Sequence, residues 1–528
     1  MRSQKIKNLF RACVVSLIVL SASAQSSGKM ARFEVADVHP SPHLTSFDGR
    51  DLNGGLIRGG YHLRRATILD LVSLAYGTDR KKVLGGPSWL DLDHFDVRAK
   101  VPADTAAADV RPMLQALLAE RFGLVLHRAT KPVAAWELTS TNHSQLKQSD
   151  GPGAGSCVPG GSADLIDVTC RNMTMAAFVS NIGDMEGAWY YLTDNLVVDH
   201  TGLEGAWNFN LKYSRRWETT DAGAQVTSLF DAIDRIGLKM NPATVPLPVL
   251  VIDSVNRTPT SNSPEADKVF PPPPIEFEVA VVKPADPSYN GPELKIEDGG
   301  RVTVRSKTLR SAIEDAWNIT SERIIGAPKF VDSDRWDIVA KAPDGTLADG
   351  DADIDSIRPM LKTLLVDRFK IAAHYEDRIL PVYVITASKP KLKKADPASR
   401  SGCSEGPAKL AKVDPRSTNP VLGRLLTCTN VSMPWFAEEF SYTARGYIQG
   451  EVLDATGLEG GWDFTLSFSK GAQFRGGKAP EPGAAPDPNG AISAPEALEK
   501  QLGLKLELRK RPVRMLVIDR IEKTPTGN

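Results

Sequence analysis

Apolar residues in this chain follow two rhythms, and the whole succession of those rhythms is written twice. Ile68, Leu71, Val72, Ala75 and Tyr76 recur at i, i+3, i+4, i+7 and i+8, as do Leu309, Ala312, Ile313, Ala316 and Trp317. That spacing lines one side of an α-helix. Thr67, with Asp70 three residues on, predicts a capping box at the first of these. A second helix is predicted from Val110, Met113, Leu114, Leu117, Leu118 and Phe122, and again from Ile357, Met360, Leu361, Leu364, Leu365 and Phe369. Pro112 and Pro359 fit only a first helical turn, where no amide donor is needed, so Asp109 and Ser356 are the expected N-caps.

The second rhythm alternates with period two, the mark of a half-buried strand. It runs through Phe95, Val97 and Ala99, and through Trp336, Ile338 and Ala340. Segments 33–38 and 277–282 read as opening strands ended by Pro40 and Pro284. Later strands pass through Trp136 and Leu138 (Val382, Val384 and Ile385 in the second copy) and through Val251-Ile252 (Val517-Ile518). A third helix is capped by Thr174 or Ser432, and a fourth ends at Gly237 or Gly503. The stretch Asp199 to Phe209 reappears as Asp454 to Phe464, with Thr-Gly-Leu-Glu-Gly at 201–205 and 456–460. An aliphatic run precedes each copy, and Trp207, Phe209 and Leu211, or Trp462, Phe464 and Leu466, follow it. Two glycines between two strand-like runs predict a hairpin within one sheet.

The order of matching segments never changes, while their offset drifts between 241 and 266 residues. One ancestral domain, duplicated, with length changes confined to loops, accounts for this. The expected fold is α+β: two tandem homologous domains, each with helices packed on small mixed or antiparallel sheets built from strand-helix-strand units. The expected boundaries are a signal peptide over 1–24, a first repeat over 25–260, a linker over 261–274 and a second repeat over 275–528. The linker is polar and closes on Pro271–Pro274, which stiffens it. The Gly/Pro/Ala-rich stretch from Gly471 to Pro495 reads as a mobile surface loop.

At 528 residues the chain is too long for a single core. Its formal net charge of zero gives no global basic field, so nucleic acid is not an expected partner. Arg2, Lys5, Lys7 and Arg11 precede a short apolar run, Ala12 to Leu20, and a Ser-Ala-Ser-Ala site at 21–24. This pattern predicts export, to the periplasm or beyond, with no transmembrane segment left after cleavage. Loss of Cys13 would leave four cysteines. Four allow three connectivities; the duplication favours Cys157 with Cys170 and Cys403 with Cys428. A metal site is the competing reading, but no His or Cys accompanies either pair at ligand spacing.

Together these residues resemble a secreted, soil-associated family abundant in acidobacterial genomes, the domain of unknown function 3738. The resemblance is carried by Phe33-Glu-Val-Ala with His39-Pro40, by Gly86-Pro87 with Trp89, by Arg111-Pro-Met-Leu114, and by Arg121-Phe122. Asp199-x-Thr-Gly-Leu-Glu-Gly-x-Trp207 and Val251-Ile-Asp253 complete it. Both copies fit. Members usually carry one such domain, and some relatives join it to a membrane zinc peptidase of the antibiotic-sensor type, a part this chain lacks. The resemblance implies no activity.

The chain carries no zinc-peptidase His-Glu-x-x-His and no Gly-x-Ser-x-Gly elbow, and its glycines at 151, 153 and 155 do not lead into a Lys-Ser/Thr helix start. Neither a catalytic set nor a cofactor or metal site is expected. His127 and His374 are the histidines at matching places, and Arg121 and Arg368 end matching helices. These four are the binding candidates, each set against a structural role: a hydrogen-bonded histidine, or a cation on a helix end. Glu204 and Glu459 read as solvated turn residues, Trp89, Trp207 and Trp462 as packing, and the sequons at Asn172 and Asn430 as coincidence. The expected function is a non-catalytic binding or interaction module whose partner is an envelope protein or a small ligand. A hydrolase with an unrecognised site, or a sensor acting in trans with a membrane zinc peptidase, are the alternatives.

Overall fold

The structure is a computed structural model. It describes residues 31–42, 53–57 and most of 60–527; within that last span the longest stretches left out are 215–226, 345–353, 407–413 and 475–486. The expected signal peptide over 1–24 and the middle of the expected loop over 471–495 therefore lie outside the described residues.

Each repeat has two lobes rather than one core. In the first lobe of the first repeat, an antiparallel sheet orders Val35–Pro40, His94–Lys100, Gly60–Thr67 and Asn53–Ile57. Helices Ile68–Tyr76 and Val110–Phe122 cover one face of it. Ile68, Leu71, Val72 and Ala75 are fully buried, as the periodicity predicts. Thr67 and Asp70 form the expected capping box: Thr67 Oγ1 accepts from the Asp70 amide, and Asp70 accepts from the Thr67 amide. Phe95 from the sheet meets Phe122 from the helix edge-on at 5.0 Å; Trp336 and Phe369 repeat the contact at 5.1 Å.

The element that joins the lobes is a two-stranded ribbon. Val125–Ser140 and Leu238–Ser254 pair antiparallel along their whole length. A strand of 16 residues is roughly 50 Å long, enough to run through two cores. At one end Leu126, Leu250 and Ile252 enter the first-lobe core. At the other, Trp136, Leu138, Leu238 and Met240 enter the second. A short parallel strand flanks each end: Val83–Gly85 beside Leu250–Ile252, and Leu196–Asp199 beside residues 135–138. The second lobe adds a sheet ordered Lys147–Gln148, Trp207–Ser214, Leu165–Met173 and Ser156–Gly161, with helices Met175–Asn181 and Leu229–Arg235.

The second repeat follows the same plan strand for strand. Its first-lobe sheet orders Val279–Pro284, Arg335–Lys341, Arg301–Thr308 and Glu293–Glu297. Its ribbon pairs Ala372–Ala387 with Leu504–Arg520, and its second-lobe sheet orders Lys393–Lys394, Trp462–Phe468, Arg424–Val431 and Gly402–Glu405. The α+β fold and its tandem duplication are thus as expected. In both repeats the second-lobe edge strand is stapled by a cross-strand disulfide, Cys157–Cys170 and Cys403–Cys428, between residues directly opposite in the ladder.

Three expectations need correction. The Thr-Gly-Leu-Glu-Gly motif is not a hairpin. Leu196–Asp199 lies in the ribbon sheet and Trp207–Ser214 in the second-lobe sheet, so the motif is a crossover between sheets. Its shape is set by side-chain acceptors: Asp199 Oδ1 takes the Thr201 amide at 2.9 Å and its hydroxyl at 2.7 Å, and Thr201 Oγ1 takes the Leu203 amide at 3.2 Å. Asp454, Thr456 and Leu458 repeat the amide bonds at 2.8 and 3.1 Å. Gly202 and Gly205 hold φ of 66° and 84°, where a β-carbon would be strained.

The second correction concerns the helix starts. Asp109 stands at the N-cap of Val110–Phe122 as expected, but its side chain turns back to the Ala106 amide of a preceding 3₁₀ turn, and Ser356 lies inside a helix that already begins at Ile354. Pro359 therefore falls within that helix, past its first turn. Asn172 and Asn430, whose sequons read as coincidence, have structural places of their own. Both are bulge residues with φ of 49° and 48°, and Asn430 is buried with its amide on the Ser399 carbonyl at 2.6 Å. The third correction concerns the stretch 261–274, which is not wholly a tether. Ser263 caps a helix, Pro264–Val269, that folds back on the first repeat.

Asp199→Ala is expected to lower the unfolding free energy by about 1–3 kcal/mol, since two donors on buried Thr201 lose their acceptor. Asp199→Asn keeps an acceptor and should cost less. Urea titration of the full chain checks both.

Candidate functional site

The two candidate arginines are holding the chain together. Arg121 ends its helix 9% exposed and forks onto four acceptors. Its Nη2 donates to the Thr260 carbonyl at 2.5 Å and to Asn262 Oδ1 at 2.6 Å; Nε reaches Thr260 Oγ1 at 3.1 Å and Nη1 the Ala36 carbonyl at 3.2 Å. In return the Thr260 amide donates to the Arg121 carbonyl at 2.8 Å. Burial pulls the guanidinium pKa down, and the charge of Asp37 partly offsets that. Arg368 repeats the device. It donates to the Gly527 and Ala280 carbonyls, and the Thr526 amide donates to its carbonyl at 2.8 Å. The Thr-Pro-Thr that closes each repeat is therefore the strap these arginines fasten across the opening strand.

The two candidate histidines lie on the ribbon, each beside a bulge. The ladder slips at Asp253 and again at Asp519, the last residues of the two Val-Ile-Asp motifs. Bulges re-aim a side chain, and here they turn each aspartate onto a histidine. His127 Nδ1 lies 3.0 Å from both Asp253 oxygens, and His374 Nδ1 lies 2.8 Å from Asp519 Oδ2. The hydrogen bond to Asp519 raises the His374 pKa, with Glu376 adding to it. About half of each imidazole is exposed. Among the described residues, the bonded partners of both rings are carboxylates. The pairs orient an imidazole but bring no nucleophile to it.

One polar cluster was missed by motif reading. It sits on the outer face of the first-lobe sheet, in the first repeat only. Asp37, 6% exposed, accepts from Arg98 at 2.7 and 3.1 Å and from Asn262 at 2.5 Å, and lies 3.4 Å from His39 Nδ1. Burial works to raise its pKa; bonds from His39 and Arg98 overcome this and hold it at about 2. Asp96 alongside accepts from Ser41 at 2.6 Å and from the Arg65 amide at 2.9 Å. Phe270 closes the cluster, 5.4 Å from the Arg98 guanidinium and edge-on to His62 at 6.4 Å.

The signal for this cluster was present in the aligned strands. Residues 33–40 and 277–284 differ only at Asp37 against Val281 and His39 against Lys283. In the partner strand, core positions change conservatively (Phe95 to Trp336, Val97 to Ile338), while the outer-face Arg98 becomes Val339. Val279, Val281 and Val339 are 60%, 40% and 36% exposed in the second repeat. Two open clefts adjoin this second face. One of about 330 Å³ is lined by Glu293, Lys295, Glu297, Arg301, Thr303 and Arg305. The other, about 430 Å³, lies by Asp286, Tyr289, Ser306 and Arg335, whose guanidinium is tied to the Ser306 carbonyl at 2.6 Å.

A family model described as "Protein of unknown function (DUF3738)" matches residues 69–255 and again 310–521, well over half of the chain. The chain belongs to this family. No curated protein and no solved structure matches it. Each DUF3738 match runs from the first helix to the end of the ribbon or just beyond, taking in Arg121, His127, Arg368 and His374. Asp37, His39, Asn262 and the Pro264–Val269 helix stand outside the matched ranges, as do Val279 and Val281. Among the described residues no helix is long and apolar enough to cross a membrane.

Arg121→Ala should cost about 2–4 kcal/mol and speed amide exchange across 258–262, since a buried fork to several acceptors is lost. Arg121→Lys should recover less than half, because an ammonium cannot span them. Hydrogen-exchange mass spectrometry separates the two. Asp37 predicts an acid signature. Its folded pKa lies below the ordinary 3.8, so its contribution is complete near pH 5 and is lost as pH falls toward 2. The stability gap between wild type and Asp37→Asn should shrink by roughly 2 kcal/mol over that range, as read by urea titration at each pH.

Proposed function

We propose that this DUF3738 protein is a non-catalytic, exported binding module of the cell envelope or extracellular space of a soil bacterium, with an envelope protein or small ligand as partner. One observation carries the reading. The two repeats keep their helices, ribbon, strap and disulfide alike, yet diverge on the outer face of the first-lobe sheet: Asp37, His39 and Arg98 against Val281, Lys283 and Val339. Duplication that preserves a scaffold while changing one surface favours two recognition surfaces over one reaction centre. The engagement of Arg121 and Arg368 in holding the strap supports this, as does the open, carboxylate-only setting of His127 and His374. Export is supported by the leader pattern and by the two disulfides, which persist in oxidising compartments.

Purified full chain is expected to turn over no ester, peptide, glycoside or phosphate substrate above buffer. It is expected to give a discrete, saturable cross-linked partner from envelope fractions. Turnover that disappears in His127→Ala or His374→Ala would overturn the reading.

A further inference from the structure

The first repeat shows what covers the outer face of its own first-lobe sheet. Helix Pro264–Val269 lies there, with Ala266 1% exposed and Val269 and Phe270 half-buried. These three stand at i, i+3 and i+4, an apolar stripe on an otherwise polar segment. Asn262 anchors its start through bonds to Asp37 and to the Val38 amide at 3.0 Å. Lys100 is paired with Glu34 at 2.8 Å, and Glu265 in the helix's first turn adds a smaller pull on its charge; Phe270 ends the helix over Arg98 and His62.

The matching face of the second repeat keeps the layout and changes the chemistry. Lys341 stands where Lys100 does, Val339 where Arg98 does, Thr303 where His62 does and Val281 where Asp37 does. Val281 and Val339 are directly opposite in the ladder and, with Val279, make an exposed apolar strip. The cleft of about 330 Å³ includes Thr303, so it opens where the Phe270 ring lies in the first repeat. Resting on the binding role above, we propose that this face is the docking site for a short amphipathic helix of a partner protein. That helix has an acidic first turn, a small residue in its middle and an aromatic ring at its end.

A second copy of the chain is a poorer fit. Four strands about 4.8 Å apart and five residues long present a face of roughly 300 Å². A stable interface between proteins needs roughly 800 Å² per partner. One or two helical turns match that face, and an apolar stripe laid on an apolar strip is a recurring mode of peptide recognition.

The test uses the full chain with valine methyls labelled for NMR, titrated with a synthetic peptide of residues 260–270 carrying blocked ends. Saturable shifts of the Val279, Val281 and Val339 methyls are expected. Val281→Thr/Val339→Thr keeps the β-branched shape and should weaken binding by at least about five-fold. Val281→Asp/Val339→Asp should abolish it, with core methyl shifts unmoved in both. The site falls if no saturable shift develops by several millimolar peptide, or if the shifts map elsewhere. It falls also if those methyls move with protein concentration alone and sedimentation shows a dimer that the Thr pair dissolves, since the occupant is then a second copy. If the envelope cross-link persists in the Asp pair, this site is wrong while the binding role stands.

Discussion

The constraint on which both repeats depend is the register of the long ribbon. Its two strands pass through two separate cores, so the same ladder must place Leu126, Leu250 and Ile252 inward at one end and Trp136, Leu138 and Met240 inward at the other. A slip of one residue would turn every one of these side chains outward. Between the cores the first repeat's ribbon buries only a small cluster, Ala135 and Val245 against Leu196, and the second repeat's has little to pack against. Residues 508–512 and Ile379 are exposed in the second repeat. Fixing both ends therefore fixes the separation of the lobes. The bulge at Asp253 and Asp519 comes where the ladder ends, and it aims the carboxylate at a histidine without disturbing the inward set.

Around that ribbon each repeat closes on itself. The last strand is followed by a strap that returns to the end of the second helix, where Arg121 or Arg368 holds it against the opening strand. A helix ends with carbonyls lacking partners, and in both repeats the returning amides supply some. The cation thus does more than oppose the helix dipole, and in the first repeat the burial of Arg121 leaves little for an incoming anion. Beyond the strap the two repeats part ways. In the first, the chain continues into the Pro264–Val269 helix, which covers a polar face. In the second, the matching face is valine-rich.

Much of this was legible beforehand, because helix stripes, capping residues and duplicated order are local signals. The stripe at Ile68 to Ala75 and the Thr67–Asp70 box needed no tertiary information. The crossover at Thr201 did. A Gly-rich turn between two strand-like runs fits a hairpin equally well, and only the pairing of Leu196–Asp199 with the ribbon decides between them. The split into two cores was hidden for the same reason: periodicity tells which side of a strand is buried but not how many cores a 16-residue strand visits. The outer-face cluster escaped because its members, Asp37, Arg98 and Asn262, are far apart in sequence and form no motif. Comparing the two copies position by position would have exposed it.

Several of the residues that tie the repeats to each other are ones the copies do not share. Arg65 reaches Asp355 at 2.8 Å with both side chains largely buried, and Arg358 holds the same carboxylate at 2.5 Å. Arg400 lies 3.7 Å from Asp91 and donates to the Val83 carbonyl at 2.7 Å; burial raises the pKa of Asp91, against the pull of Arg400. The first repeat's Arg65 corresponds to Ser306, and the second repeat's Asp355 to Ala108. Buried ion pairs add little net stability but penalise any arrangement that leaves one partner alone. A solenoid stacks because every unit offers the same two faces. Here the second repeat carries Ser306 where the first carries Arg65, so the Arg65–Asp355 pair is a contact of these two units and not a face that both repeats offer.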